Sequence, residues 1–202
     1  IIRSCGVEEM LVKGAELIDW ERRKELHAQE GPIRRGIGVA RGFHPSGTGG
    51  PKAGEVIDYS GATVKINEDG SVDVITALMD HGGGTWEAGA KVAAEVLKVP
   101  FEKVSIDNGV DTRTTVFDVN THATRGVYCG CAAIQYVAEK VKEMLMNYAA
   151  TLFEDRPENL VLELNEELGQ GIIYPKGLPD RYKTVGEIAD HARINSVGTF
   201  SY

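Results

Sequence analysis

Three consecutive glycines, Gly82, Gly83 and Gly84, divide an apolar run from Val72 to Met79 from an alanine- and valine-rich run from Trp86 to Leu97. The first run has the length and branching of a strand, the second the spacing of a helix. A chain that passes from strand to helix through glycines brings its backbone close to a ligand and takes positive φ without a Cβ clash. The unpaired N–H groups of the helix's first turn point back at that loop. The junction therefore suits an anion, a phosphate above all. A second junction of this kind, Asn120-Thr121-His122-Ala123-Thr124-Arg125-Gly126, opens the longest helical run of the chain. Two such cradles predict a cofactor that carries a phosphate or an anionic ring edge.

The remaining pattern predicts the elements around these junctions. Ser4 is placed to cap a helix running to about Gln29, and Gly31-Pro32 stops it. Residues 34–43 read as a strand and 44–54 as a glycine- and proline-rich loop. Residues 62–67 and 71–79 alternate around Glu68-Asp69-Gly70, a strong hairpin signal. Thr85 or a neighbour caps the helix after the glycines, and Pro100 follows its end. A short strand over 104–107 and a polar loop over 109–120 come next. A helix from Thr124 to Phe153 then presents Ile134, Val137, Ala138, Val141, Leu145, Tyr148 and Leu152 at helical spacing. A second hairpin over 160–164 and 171–174 precedes a short helix capped by Thr184, with Val185, Ile188 and Ala189 turned inward. This order predicts an α+β fold of layered mixed sheets and helices. It predicts one domain over 1–202, with an N-terminal part to 60, a cradle region over 61–153 and a C-terminal part from 154.

Composition narrows the function. The 202 residues carry a formal net charge of −8, and no basic stripe marks a nucleic-acid binder. No apolar run has the ~20 residues of a membrane span. The first residues, Ile1-Ile2-Arg3-Ser4-Cys5, lack the parts of a secretory signal. They also lack an initiator methionine, so the chain is expected to be a piece of a longer one. Cys5, Cys129 and Cys131 are too few for a disulfide scaffold, and a reducing cytoplasm is expected.

Single residues leave alternatives open. His81 and His122 flank the cradles as hydrogen-bonding loop residues, with no ligand set of zinc spacing around them. Cys129 and Cys131 lie two apart on a helix, where they do not share a face, and read as small-residue packing. Thr124 reads as a helix N-cap whose hydroxyl also faces an anion. Arg125 reads as a solvated helix-start arginine or as a fork on a phosphate. Asp111 and Asp118 read as loop caps or as residues of a substrate channel.

A more specific resemblance comes from an ordered set of segments. These are Gly36-Ile37-Gly38-Val39-Ala40, the run from Val64 to Val74, Asp80-His81-Gly82-Gly83-Gly84, and Ala93 to Pro100. They are followed by Val104 to Asp107, Asp111-Thr112, Phe117-Asp118 and His122-Ala123-Thr124-Arg125. Together they resemble the large, molybdopterin-binding subunit of the xanthine dehydrogenase/aldehyde oxidase family of molybdenum hydroxylases. The resemblance implies that Gly82, Gly83, Gly84, Ala123, Thr124 and Arg125 stand at the molybdenum cofactor. It also implies that Gly83 occupies the place of a glutamine whose side chain binds the cofactor in the family. The family's catalytic glutamate has no counterpart in these residues. The resemblance further implies iron–sulfur clusters and FAD on other domains or subunits, the remaining part of the molybdopterin subunit as a partner, and a small-molecule heterocycle or aldehyde as substrate. The chain would then be part of an oxidoreductase. A non-catalytic cofactor-binding or assembly module of the same fold is the alternative. In the cofactor-binding case, Arg125→Ala is expected to lower bound pterin while leaving the stability of the cofactor-free protein nearly unchanged.

Overall fold

A computed structural model describes residues 5–26, 31–42, 44, 59–106, 109–119, 121–195 and 198–202. The expected cap at Ser4, the helix end at Gln29 and most of the 44–54 loop lie outside these residues. The chain divides into two units, Ile1–Phe43 and His44–Tyr202.

In the first unit, helix α1 spans Val7–Leu17, with Glu8 and Glu9 in its first turn where the helix dipole favours them. It is not the single long helix that the periodicity predicts. Asp19 takes a left-handed conformation (φ 51°), and the chain continues as a 3₁₀ turn, Trp20–Arg22, and a short helix α2, Arg23–Leu26. Aspartate is among the few residues that enter this region at low cost, so the break falls there. The strand expected over 34–43 is also absent over the described residues 34–42, and Phe43 lies outside them. Residues 33–42 are exposed and belong to no ladder, because a strand exists only with a partner. No described residue of the unit is buried.

The second unit holds the core. Strands β1, Ala62–Ile66, and β2, Val72–Thr76, form the predicted antiparallel hairpin, with Val64 opposite Val74. Gly70 supplies the positive φ of its turn (80°). From β2 the chain crosses through helix α3, Thr85–Leu97, to strand β3, Val104–Ile106, which pairs parallel to β2. The last residues join the free edge of β1: Val64 N–H donates to the Tyr202 carbonyl and Ile66 N–H to that of Phe200, at 3.0 Å each.

Helix α4, Ala132–Phe153, lies against β1 and α3. A second sheet runs β4, Leu160–Asn165, β5, Gln170–Pro175, and β6, Lys183–Thr184, all antiparallel. The Leu168-Gly169-Gln170-Gly171 stretch forms its turn and the start of β5. Helix α5, Val185–Ile194, closes the unit. Thr184 Oγ1 accepts from Glu187 N–H and the Glu187 carboxylate accepts from Thr184 N–H, a reciprocal capping box.

One core joins these layers. The alternating Val64, Ile66, Val72 and Val74 meet the α4 stripe of Ile134, Val137, Ala138, Val141 and Leu145, and the same cluster takes in Ile173 and Ile188. The result is the α+β fold that the element order predicts. Among the described residues no helix is long and apolar enough to cross a membrane. Leu145 is fully buried and Leu17 is 87% exposed. Leu145→Ala is expected to lower the unfolding free energy by about 2–5 kcal/mol, whereas Leu17→Ala stays within about 0.5 kcal/mol of the parent. Urea unfolding of both variants measures the difference.

Candidate cofactor cradle

The two glycine-containing junctions lie side by side. Met79 N–H, at the end of the β2 run, donates to Thr121 Oγ1 at 3.2 Å. Thr85, the first residue of α3, is buried beside Gly126, where a built Cβ would stand 3.4 Å from Thr85 Cγ2. Gly130 sits so tightly on Leu78 that a Cβ there would fall 2.4 Å from both leucine methyl carbons. A side chain at 130 would push the two segments apart, whereas at 126 a Cβ would meet Thr85 at ordinary van der Waals distance. The small-residue packing expected around Cys129 and Cys131 is therefore present at Gly130.

The first junction is organised by a residue that the sequence reading did not weigh. Asp80 Oδ1 accepts from Gly82 N–H at 2.7 Å and from Gly84 N–H at 3.2 Å, and Oδ2 accepts from Trp86 N–H at 3.3 Å. Gly82 and Gly84 have φ of 91° and 75°, which turns their amides toward the carboxylate. Gly84, not Thr85, is the N-cap residue, and no side-chain cap bond comes from it. Trp86 Nε1–H donates to the Leu78 carbonyl at 2.7 Å and ties the helix start to the strand end. Gly82 and Gly83 are exposed, with open space where a Cβ would stand. Partial desolvation pushes the Asp80 carboxyl up, but the backbone N–H bonds outweigh it and hold the group below its ordinary range.

The second junction is built differently from its expected form. Ala123 and Thr124 are both left-handed, with φ of 48° and 63°. Such a conformation costs a residue with a Cβ roughly 1–2 kcal/mol. Thr124 is exposed and is not the N-cap. Arg125 occupies that position, and residues Gly126–Cys131 form a π-helical segment that leads into α4. Strained residues and π segments both concentrate at functional sites.

Arg125 is not a solvated arginine. It is fully buried and its Nη1 pairs at 2.5 Å with Asp118, whose side chain is 3% exposed. Its Nη2 donates to the Tyr59 carbonyl and, at 3.1 Å, to Ser60 Oγ. A buried guanidinium requires such partners because an unpaired one would forfeit most of its hydration. Asp118 is thereby the partner of Arg125, and Asp111 caps its own turn by accepting from Arg113 N–H at 2.9 Å. Among the described residues no group of three or more His, Cys, Asp or Glu side chains is placed to hold a metal ion.

A family model described as the molybdopterin cofactor-binding domain matches residues 13–202. The chain belongs to that family. It is 33% identical over 162 residues to the putative xanthine dehydrogenase molybdenum-binding subunit XdhA of Escherichia coli strain K12, covering 80% of this chain and 21% of that protein. It is 30% identical over 154 residues to the nicotine 6-hydroxylase large subunit of Paenarthrobacter nicotinovorans, covering 73% and 19%. The solved quinoline 2-oxidoreductase from Pseudomonas putida 86 aligns with a TM-score of 0.61 at 27% identity, over 71% of this chain and 18% of that one. The domain thus spans about a fifth of the length of the curated relatives it matches.

Asp80 and Thr121 stand in the segments that the sequence singles out, but neither they nor Leu78 has a role assigned there. An aspartate just ahead of glycines and a helix start is an available signal, since its short carboxylate bonds nearby amides. Thr121 and Leu78 carried none. Two expectations follow. Burial of Arg125 reverses the expected indifference of folding to its loss: Arg125→Ala is expected to destabilise the cofactor-free domain by about 3–5 kcal/mol, because Asp118 is left charged and buried. Thermal melts of the cofactor-free protein measure this. Asp80 has a depressed folded pKa, so its stabilisation is complete above the ordinary carboxylate range and is lost as pH falls through the folded value. The advantage of the parent over Asp80→Asn in melting temperature should therefore vanish at acid pH, as a pH series of melts will show.

Proposed function

We propose that the domain forms one wall of the molybdopterin site in a molybdenum hydroxylase of the xanthine dehydrogenase/aldehyde oxidase type, an oxidoreductase that hydroxylates a heterocycle or aldehyde with oxygen from water. The observation that supports this best is the convergence of the two junctions, joined by Met79 and Thr121 and by Thr85 and Gly126, in a chain of the molybdopterin cofactor-binding family. The residues fit a flat ligand: Gly82 and Gly83 leave open space above their backbone, and the left-handed Thr124 is exposed, with the equally left-handed Ala123 buried before it. When bound, the cofactor would supply the redox chemistry.

This chain's residues bind and orient. Gly82, Gly83 and Gly84 offer backbone to one part of the cofactor. Ala123 and Thr124 offer backbone and a hydroxyl to another, and Arg125 holds that backbone in place from behind. The catalytic glutamate, the iron–sulfur clusters and FAD belong to other parts or subunits in this reading. Residues 1–202 act as a single piece of the molybdopterin-binding domain in a cytoplasmic enzyme. The longer polypeptide that contains this chain, purified with its partners, should carry about one molybdenum and one pterin per chain, a largely pre-formed site being what retains a cofactor. The 202-residue chain alone should carry far less and turn over neither purines nor aldehydes. Elemental analysis and dye-linked oxidation decide it; a full-length protein free of molybdenum would refute the proposal.

A further inference from the structure

We infer that Asp80 is the positioning residue of the glycine loop: its carboxylate fills the amide nest that an external anion would otherwise enter, and so sets the backbone surface the loop turns toward a cofactor. The inference rests on the reading of this loop as cofactor wall. It starts from the three bonds to Gly82, Gly84 and Trp86, in which both carboxylate oxygens are engaged. The strand-to-helix junction that looks from sequence like a phosphate cradle already contains an anion of its own. A second anion would meet the negative charge of Asp80 at short range in a partly desolvated place.

The loop therefore offers a ligand something other than amide donors. No backbone N–H of a described residue outside the helices and strands donates to the carbonyls of Gly82 and Gly83, and both residues are exposed. An acceptor edge with no side chains receives a planar group carrying N–H or amino donors better than it receives phosphate oxygens. The loop's form depends on Asp80, because Gly82 and Gly84 are held at positive φ only while their amides have the carboxylate to converge on. Without it, glycines lose this conformation more readily than any other residue.

The test uses the full-length subunit that contains this chain, assembled with its partners, with molybdenum per chain measured by elemental analysis and melting temperature measured alongside. Asp80→Ala should lower molybdenum to about a tenth of the parent level, the scale of losing charge-assisted hydrogen bonds. Asp80→Asn keeps an oxygen for Gly82 and Gly84 and should stay within about threefold of the parent. Formate supplied during assembly, a carboxylate small enough for the vacated nest, should restore loading to Asp80→Ala and leave the parent unchanged. Full loading of Asp80→Ala would overturn the inference and leave the cofactor reading standing. So would a loss that neither asparagine nor formate repairs and that follows a fall in melting temperature, since Asp80 would then serve folding alone. A parent protein without molybdenum would overturn the cofactor reading and this inference with it.

Discussion

The buried ion pair of Arg125 and Asp118 is the contact on which the cradle depends. It joins segments far apart in sequence: the backbone at Tyr59 and Ser60 ahead of β1, the loop that ends near Asp118, and the start of the π segment at Gly126. A guanidinium this deep is tolerable only when its donors are occupied in a fixed geometry. Removing either partner would leave an uncompensated charge among these three segments. The left-handed Ala123 and Thr124 come immediately before Arg125. Their strain persists because the anchored arginine on one side and the Met79–Thr121 bond on the other leave the chain no relaxed path between them.

Small residues then set how closely the two junctions approach. Gly130 admits Leu78, where a Cβ would clash, and Gly126 stands in ordinary contact with Thr85. The π segment between Gly126 and Cys131 closes each hydrogen bond over one more residue than an α-helix and shifts the facing of the chain before α4 begins. From Ala132 onward the helix is ordinary, and its stripe of Ile134, Val137, Val141 and Leu145 is seated in the common core. A rigid layer of hairpin, α3 and α4 thus carries an irregular rim, an arrangement suited to a binding site on a stable scaffold.

Sequence legibility follows the same division. The β1–β2 hairpin was readable because alternation and Asp69-Gly70 both act locally. The α5 cap was readable because Thr184 and Glu187 stand at the spacing of a capping box. The α4 stripe was readable from period alone. The strand expected over 34–43 was misread because apolar character says nothing about a partner. The helix expected from Ser4 to Gln29 missed the left-handed Asp19. At the cradle the sequence located both junctions but not their construction. Nothing in the local propensity of Ala123 or Thr124 favours positive φ; that conformation is imposed by Arg125, whose burial depends on Asp118 and on backbone at Tyr59.

Electrostatics give the two junctions a common character. Read from sequence, each is an electropositive feature: a glycine nest at a helix N-terminus, and an arginine at another. In the fold each meets a carboxylate of the chain itself, Asp80 in the nest and Asp118 on the arginine. Partial charges that would draw an anion from solvent are balanced at short range, where a fixed internal partner outcompetes a diffusing one by its effective concentration. Such a wall does not depend on a ligand to neutralise it. In the proposed reading it would hold its shape before a cofactor arrives, and its selectivity would rest on the backbone it exposes rather than on net charge.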